Sequence, residues 1–384
     1  MTGQDLSDSA LRCVVVSDGI RGHLHQARGV ALWISRLCGA SVMEIGVPGL
    51  KGLGRFLCLK MAARRLPSAR PDEAHAWLVA SGGAELFASL GDAGGPETLF
   101  LAAGSSAASY CLALARAKGS RSAVIMTPSV LGTAPFDFAV VPAHDGPIGS
   151  DRLFVTLGAP NHIYRPDLEE AASALARSFP PRSKRIVALL LGGSDGNYRI
   201  DAAWARERLA PVRAQAERLG ADLYVTTSRR TGKGTDDALE ALFADSPSLR
   251  MLLLASRDEA NPVPAMLGLA THAICTDDSV SMISEAATAG FRVGLLRARR
   301  RGGVVPTLQE GVGRLVSSGF LPPSALSGLP RFDRFFRSLS ERGSLVDLTA
   351  EDDLETFLAS SSQKAEPLDE ARRAAAWIVE RWRG

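Results

Sequence analysis

Short, uninterrupted apolar runs alternate with longer segments of helical periodicity along nearly the whole chain. In the first half, Arg12 to Ser17, Ser41 to Ile45, Ala76 to Ala80, Thr98 to Ala102, Ser122 to Met126 and Phe138 to Val141 read as strands. Helices are expected between them from about His23 to Leu37 and over the Ala-rich stretch Ser105 to Lys118. The pattern then restarts. Arg185 to Leu191, Asp222 to Thr226, Leu249 to Leu254, Thr271 to Cys275 and Arg292 to Leu295 form a second set of strands, with a long helix over Asp201 to Leu219 capped by Asp201. Strands that are apolar throughout and separated by helices predict parallel sheets covered on both faces. The expected fold class is α/β, with two doubly wound domains in tandem. Residues 156–184 hold Gly158, Pro160, Pro166, Pro180 and Pro181 around one charged helix and make the join. That divides the chain into an N-terminal domain at 1–160, a C-terminal domain at 161–361 and a final helical segment at 362–384, with Trp377, Ile378 and Trp382 on its apolar side.

Composition works mainly by exclusion. A chain of 384 residues, 46% hydrophobic and 22% charged, is globular and too long for one typical core. The formal charge of +3, from 44 basic and 41 acidic residues, is too near balance to predict a nucleic-acid partner. Cys13, Cys38, Cys58, Cys111 and Cys275 form no metal-type pair and predict buried, reduced thiols in a cytoplasmic protein. The first residues carry no basic-then-apolar signal pattern, and no run of about 18 apolar residues predicts a spanning helix. Leu50 to Leu66 mixes Lys51, Arg55, Lys60, Arg64 and Arg65 with Leu53, Phe56, Leu57, Leu59 and Met61. Such segments can rest on anionic membrane surfaces, which leaves peripheral contact at the inner face of a membrane open. A core helix with basic edges is the competing reading, because the charges do not gather on one helical face.

Candidate chemistry gathers where strands end. The strand Thr271 to Cys275 runs into Thr276, Asp277, Asp278 and Ser279, which open a helix ending at Gly290. Asp278 or Ser279 can cap that helix, leaving the amides of Val280 and Ser281 at its positive end, where phosphate binds. Glu285 lies roughly one and a half turns further on, within reach of the hydroxyls of a ribose. Gly192, Gly193, Ser194 and Gly196 match the spacing of a hydrolase nucleophile elbow, but Gly196 and Asn197 intervene before the next helix; a glycine loop giving amides to a diphosphate uses the same residues better. Thr227, Ser228, Arg229, Arg230 and Thr231 follow the next strand and suit a phosphate or carboxylate. In the first half, Asp18, Gly19, Gly22 and His23 follow the first strand, and His144 with Asp145 follows Phe138 to Val141. Each pair offers a general base for a hydroxyl.

In their order along the chain these blocks resemble the elongated-mitochondria family, named for plant proteins of mitochondrial fission. The matching residues are Asp18-Gly19, Gly22-His23, Gln26-Ala27, Val141 to Asp145, Thr156 to Ala159, Gly192-Gly193, Thr227 to Thr231, Asn261-Pro262, Thr276 to Met282 and Ser284 to Ala286. The family is itself similar to GT-B glycosyltransferases, including the lipid-linked N-acetylglucosaminyltransferase of peptidoglycan synthesis. The resemblance implies two Rossmann-like domains facing a cleft, with the last helix crossing back to the N-terminal domain. It implies that Gly192, Gly193, Ser194, Ser279, Val280 and Ser281 hold the diphosphate of a nucleotide sugar, with Thr227, Ser228, Arg229, Asn261 and Asp278 also on the donor side and Glu285 on the ribose. His23, Asp18, His144 or Asp145 would supply the base. The expected activity is metal-independent transfer from a nucleotide sugar, UDP-linked by preference, to a cell-envelope glycan or lipid, with no further cofactor. A nucleotide-sugar epimerase and a non-catalytic recruitment scaffold are the alternatives.

Overall fold

The structure, a computed structural model, describes residues 11–48, 61–147, 149–301 and 332–383. They divide into two compact units, one made of residues up to His162 and again from Asp369, the other running from Ile163 to Leu368.

The first unit begins β1 (Arg12–Ser17), α1 (Arg21–Cys38), β2 (Ser41–Gly46), α2 (Pro71–Ala80) and α3 (Ala84–Ser89). It continues β3 (Thr98–Ala103), α4 (Ser105–Lys118), β4 (Arg121–Ile125), β5 (Phe138–Pro142) and β6 (Leu153–Thr156). The strands form one parallel sheet in the order β2-β1-β3-β4-β5-β6. Every residue of β3 and β5 is buried, as continuous apolar runs require of central parallel strands.

The second unit runs α5 (Arg165–Ser178), β7 (Ile186–Leu190), β8 (Tyr198–Arg199), α6 (Ala202–Arg218), β9 (Asp222–Thr226), α7 (Lys233–Phe243) and β10 (Leu249–Leu253). It continues α8 (Val263–Leu269), β11 (His272–Thr276), α9 (Val280–Thr288), β12 (Val293–Leu296), β13 (Arg299–Arg300), α10 (Phe332–Glu341), β14 (Leu345–Asp347) and α11 (Glu351–Ala359). Its main sheet is parallel throughout, in the order β10-β9-β7-β11-β12-β14. Strand order reverses direction between β7 and β11, and open α/β sheets bind ligands outside the carboxyl ends of strands at such a switch. The fold is therefore two Rossmann-like, doubly wound α/β domains in tandem.

Three elements differ from expectation. Ala76 to Ala80 closes α2 instead of forming a strand. Pro71 at the first helical position and Glu73, whose Oε2 accepts from the Arg70 amide at 2.9 Å, start a helix that a short apolar run cannot reveal by period alone. β6, which ends at Thr156 where the stretch read as a join begins, and β14 extend the two sheets where no strand was expected. Of the basic–apolar segment at Leu50 to Leu66, residues 50–60 lie outside the described residues; at its end Ala63 and Leu66 are buried in the first unit's core. Among the described residues, no helix is long and apolar enough to cross a membrane.

The final helix, α12 (Glu370–Arg383), belongs to the first unit. Ala371, Ala374, Ala375, Ile378 and Trp382 join the cluster formed by Val30, Ile34, Leu99, Leu101 and Val140. Trp382 Nε1 donates to Pro96 O at 2.8 Å, and the Leu157 amide donates to the buried Glu370 carboxylate at 3.1 Å. Ile378 is fully buried, so Ile378→Ala should cost roughly 2–5 kcal/mol through lost contact and a residual cavity. Urea unfolding followed by circular dichroism checks this; an unchanged midpoint would mean that α12 is not part of the cooperative core.

Candidate functional site

Three loops of the second unit meet at the carboxyl ends of β7, β9 and β11. The first is the glycine loop after β7. The Gly192 amide donates to Thr276 Oγ1 at 2.7 Å, and the Gly193 amide to Asp278 Oδ2 at 2.9 Å. Neither position has room for a side chain. A Cβ on Gly192 would sit 2.1 Å from Asp278 Oδ2, and one on Gly193 would sit 2.3 Å from the Arg230 carbonyl carbon. The glycines thus let the loops close on one another, and their amides, expected to hold a diphosphate, are taken up inside the protein. Ser194 is engaged likewise: its hydroxyl donates to Ile200 O at 3.1 Å and accepts from the Ile200 amide at 3.0 Å.

The loop after β9 is braced by its own hydroxyls. Thr227 Oγ1 accepts from the Ala255 amide at 3.0 Å, and Ser228 Oγ from the Arg230 amide at 3.2 Å. Thr231 Oγ1 donates to Gly192 O at 2.8 Å. Arg229 is exposed. Its neighbour Arg230, absent from the expected donor set, is the organising cation. It donates to Asp278 Oδ2 at 2.7 Å, to Gly193 O at 3.1 Å and to Asp195 Oδ2 at 3.2 Å, while 40% of its side chain remains exposed. Two adjacent arginines after a strand look alike in sequence; only the meeting of loops separates them. Asn261 is exposed and accepts from the Val263 amide at 3.3 Å at the start of α8.

The third loop leads into α9. Ser279 takes the N-cap position without a side-chain cap, so Val280 and Ser281 open the helix with their amides unmatched by any capping side chain. Asp278, expected as a possible cap, turns instead to Gly193 and Arg230; its Oδ1 is buried without a partner. Asp277 Oδ1 accepts from the Ala298 amide at 2.8 Å, and Arg297 reaches its Oδ2 at 3.5 Å while donating to Asp347 at 2.7 Å. Burial outweighs these donors and pushes the Asp277 carboxyl up to about 6. Glu285 is buried one and a half turns along α9.

The expected bases form two separate groups in the first unit. His23 Nδ1 lies 3.0 Å from Asp18 Oδ2, just beyond β1. His144 and Asp145 follow β5, with Nε2 and Oδ1 3.6 Å apart. β1 and β5 are three strand spacings apart, roughly 14 Å. The structure therefore brings Asp18 to His23 and His144 to Asp145, but not one pair to the other. Burial lowers His144 to about 4 and raises Asp145, so His144 is a neutral but weakly basic imidazole at physiological pH.

The raised Asp277 carboxyl carries a sign that can be tested. Between its ordinary value near 3.8 and about 6, the native state keeps a proton that the unfolded chain has released, so this group's contribution falls as pH rises through that window. Asp277→Asn keeps an acceptor for the Ala298 amide and removes the charge. Its stability relative to the wild type should climb from pH 4 to 6 and stay level above, by up to about 3 kcal/mol. Urea unfolding across that range checks it; a gap independent of pH would contradict a buried, protonating Asp277.

The chain matches the family described as mitochondrial fission ELM1 over residues 22–382. No curated protein matches it significantly in sequence. Among solved structures, a Listeria monocytogenes protein assigned as a UDP-N-acetylglucosamine 2-epimerase is similar with a TM-score of 0.51 at 11% identity, over 98% of this chain and 97% of that one. The UDP-GlcNAc 2-epimerase of Neisseria meningitidis, bound to UDP-GlcNAc, gives 0.48 at 13% identity over 96% and 98%. MurG of Acinetobacter baumannii gives 0.40 at 17% identity over 97% and 99%. The Listeria likeness supports the two-domain Rossmann-like fold and, at that identity, nothing beyond it. By the extent of the family match, from the second residue of α1 to the penultimate residue of α12, this chain belongs to the mitochondrial fission ELM1 family.

Proposed function

We propose that this protein is a nucleotide-sugar-dependent glycosyltransferase that holds its donor in the second unit at the N-terminus of α9. The observation that carries the reading is the convergence of three strand-end loops on that uncapped helix, with Arg230 clasped on one edge and partly exposed on the other. An uncapped helix and a pre-positioned guanidinium offset the charge that develops on a leaving diphosphate, so transfer needs no metal. Arg230 replaces the glycine amides in the proposed donor set, because those amides already brace the loops. Ser279, Val280, Ser281 and Glu285 keep their proposed roles on the diphosphate and ribose. His23, oriented by Asp18, is the better base of the two groups, since a histidine lowered to about 4 has little drive to take a proton at neutral pH. The proposed donor is UDP-linked and the acceptor a cell-envelope glycan or lipid, met in the cytoplasm or at the inner face of a membrane.

The second reading is a nucleotide-sugar epimerase, the activity assigned to the Listeria protein of similar fold. An epimerase alters its sugar without an acceptor, so the product of incubation with UDP-N-acetylglucosamine alone separates the two.

UDP at about a hundred times its dissociation constant should stabilise the protein by about 2.7 kcal/mol, seen as a rise in melting temperature. Arg230→Ala and Glu285→Ala should each remove most of that rise. If UDP, GDP, ADP and CMP all leave melting unchanged, the donor reading falls, and a recruitment scaffold becomes the better account.

A further inference from the structure

One edge of the first unit's sheet lacks the guard that the other sheet edges carry. We propose that β6 takes up an extended acidic segment of a partner protein as a further strand. This surface does not depend on the glycosyltransferase reading.

Among the described residues the two main sheets end in four outer strands, β2 and β6 in the first unit, β10 and β14 in the second. An unpaired strand edge invites pairing with another chain, and a charged side chain within the strand is a common guard. β2 carries Glu44, β10 carries Arg250 and β14 carries Asp347. β6, with the sequence Leu-Phe-Val-Thr, carries no charge, and Val155 is 43% exposed. Phe154, Val155 and Thr156 also favour extended backbone. The Ala139 amide donates to Arg152 O at 2.8 Å, and the ladder with β5 pairs Ala139 with Leu153 and Val140 with Phe154. Phe154 therefore turns its backbone groups to β5, while those of Leu153 and Val155 face outward. The Leu153 amide closes a turn onto Ser150 O at 3.0 Å. Among the described residues, Leu153 O and both backbone groups of Val155 remain for a new strand.

The side chains beside this edge define what that strand carries. Phe154 packs on the face covered by α12, and Leu153 on the opposite face, where alternation also places Val155. On the α12 side, rings and guanidinium groups form a ladder along the edge. Arg373 lies 5.6 Å from the Phe154 ring, Phe154 5.7 Å from Trp377, and Arg381 4.8 Å from Trp377. Stacking fixes both guanidinium planes and leaves their edges to meet carboxylates; both arginines are partly exposed. Glu370, 2.9 Å from Arg373, is buried and also accepts from the Leu157 amide. Glu380, 3.3 Å from Arg381, stands out in solvent, where such a pair is weak. Asp151 and Arg152, in the turn before β6, are both exposed and offset each other. The edge thus keeps a basic excess on its α12 face and an apolar surface on the other. An incoming strand fits with carboxylates at alternate positions toward α12 and small apolar side chains toward Val155. A second copy of this chain, paired antiparallel on the same edge, would set Arg373 and Arg381 against their own counterparts; the occupant is therefore a different, acidic sequence.

The experiment follows the fluorescence anisotropy of a labelled ten-residue peptide alternating valine and glutamate as full-length protein is added. One comparison peptide has lysine in place of glutamate. Another is N-methylated at two adjacent central residues, which removes a donor whichever way the strand runs. Both should bind about tenfold or more weakly than the parent peptide. Val155→Pro should weaken the parent peptide by a similar factor, since proline suits an edge strand whose N–H faces outward and only that donor is lost. Arg381→Glu should weaken it and flatten its salt dependence. Undiminished binding of the N-methylated peptide would overturn strand addition, whether or not Val155→Pro folds. Equal binding of the glutamate and lysine peptides, or no binding of either, would overturn the acidic partner. Self-association seen by sedimentation and abolished by Val155→Pro would assign the edge to a second copy and overturn the proposal too.

Discussion

The loop edge at the carboxyl ends of β7, β9 and β11 depends on one buried carboxylate. Asp278 Oδ2 accepts from the Gly193 amide and from Arg230, and so ties the loops after β7, β9 and β11 into one body. Its side chain is shielded from water, where charge-assisted hydrogen bonds are strongest and an unmatched charge is most costly. From this follow the bare Cα of Gly192, which the carboxylate overlies, and the fixed direction of the Arg230 guanidinium. It also sets the charge around α9: Asp195, Asp277, Asp278 and Asp347 face Arg230 and Arg297. A ligand anion held as proposed would enter a site already rich in carboxylates, where the raised Asp277 carboxyl and the exposed part of Arg230 would be its main allies.

Much of the architecture was legible in the chain. Central parallel strands have to be apolar on both faces, so β1, β3, β7, β9 and β11 announce themselves as continuous runs. Ala76 to Ala80 shows the limit of that signal, since a buried helical turn and a buried strand look alike over five residues. The site was legible as positions at strand ends but not as roles. Gly192 and Gly193 read equally well as donors to a ligand and as places where loops cross, and only the position of Asp278 decides. Arg229 and Arg230 could not be told apart for the same reason: sequence gives which strand a residue follows, not which neighbouring loop it touches.

The first unit illustrates the converse. Asp18 and His23 are five residues apart on either side of a strand-to-helix turn, and local geometry alone brings them together. The close approach of His23 to Gly104 depends on β3 lying beside β1, a long-range pairing that no spacing encodes. The same sheet order separates them from His144 and Asp145, and with that the two candidate bases stop being equivalent.

The last helix also has a consequence for how the chain matures. Residues up to His162 leave the ribosome before α12, yet their core lacks Ile378, Trp382 and the alanines of that helix until it has been translated. Ile163 to Leu368 includes no late-arriving piece and can complete itself earlier. At about 5–20 residues per second, the ~220 residues from Ile163 to the end of α12 take roughly ten to forty seconds to synthesise. Throughout that interval the nascent first domain carries an open apolar face on α1, so chaperone occupancy should concentrate on this domain, whose last helix follows the whole of its neighbour.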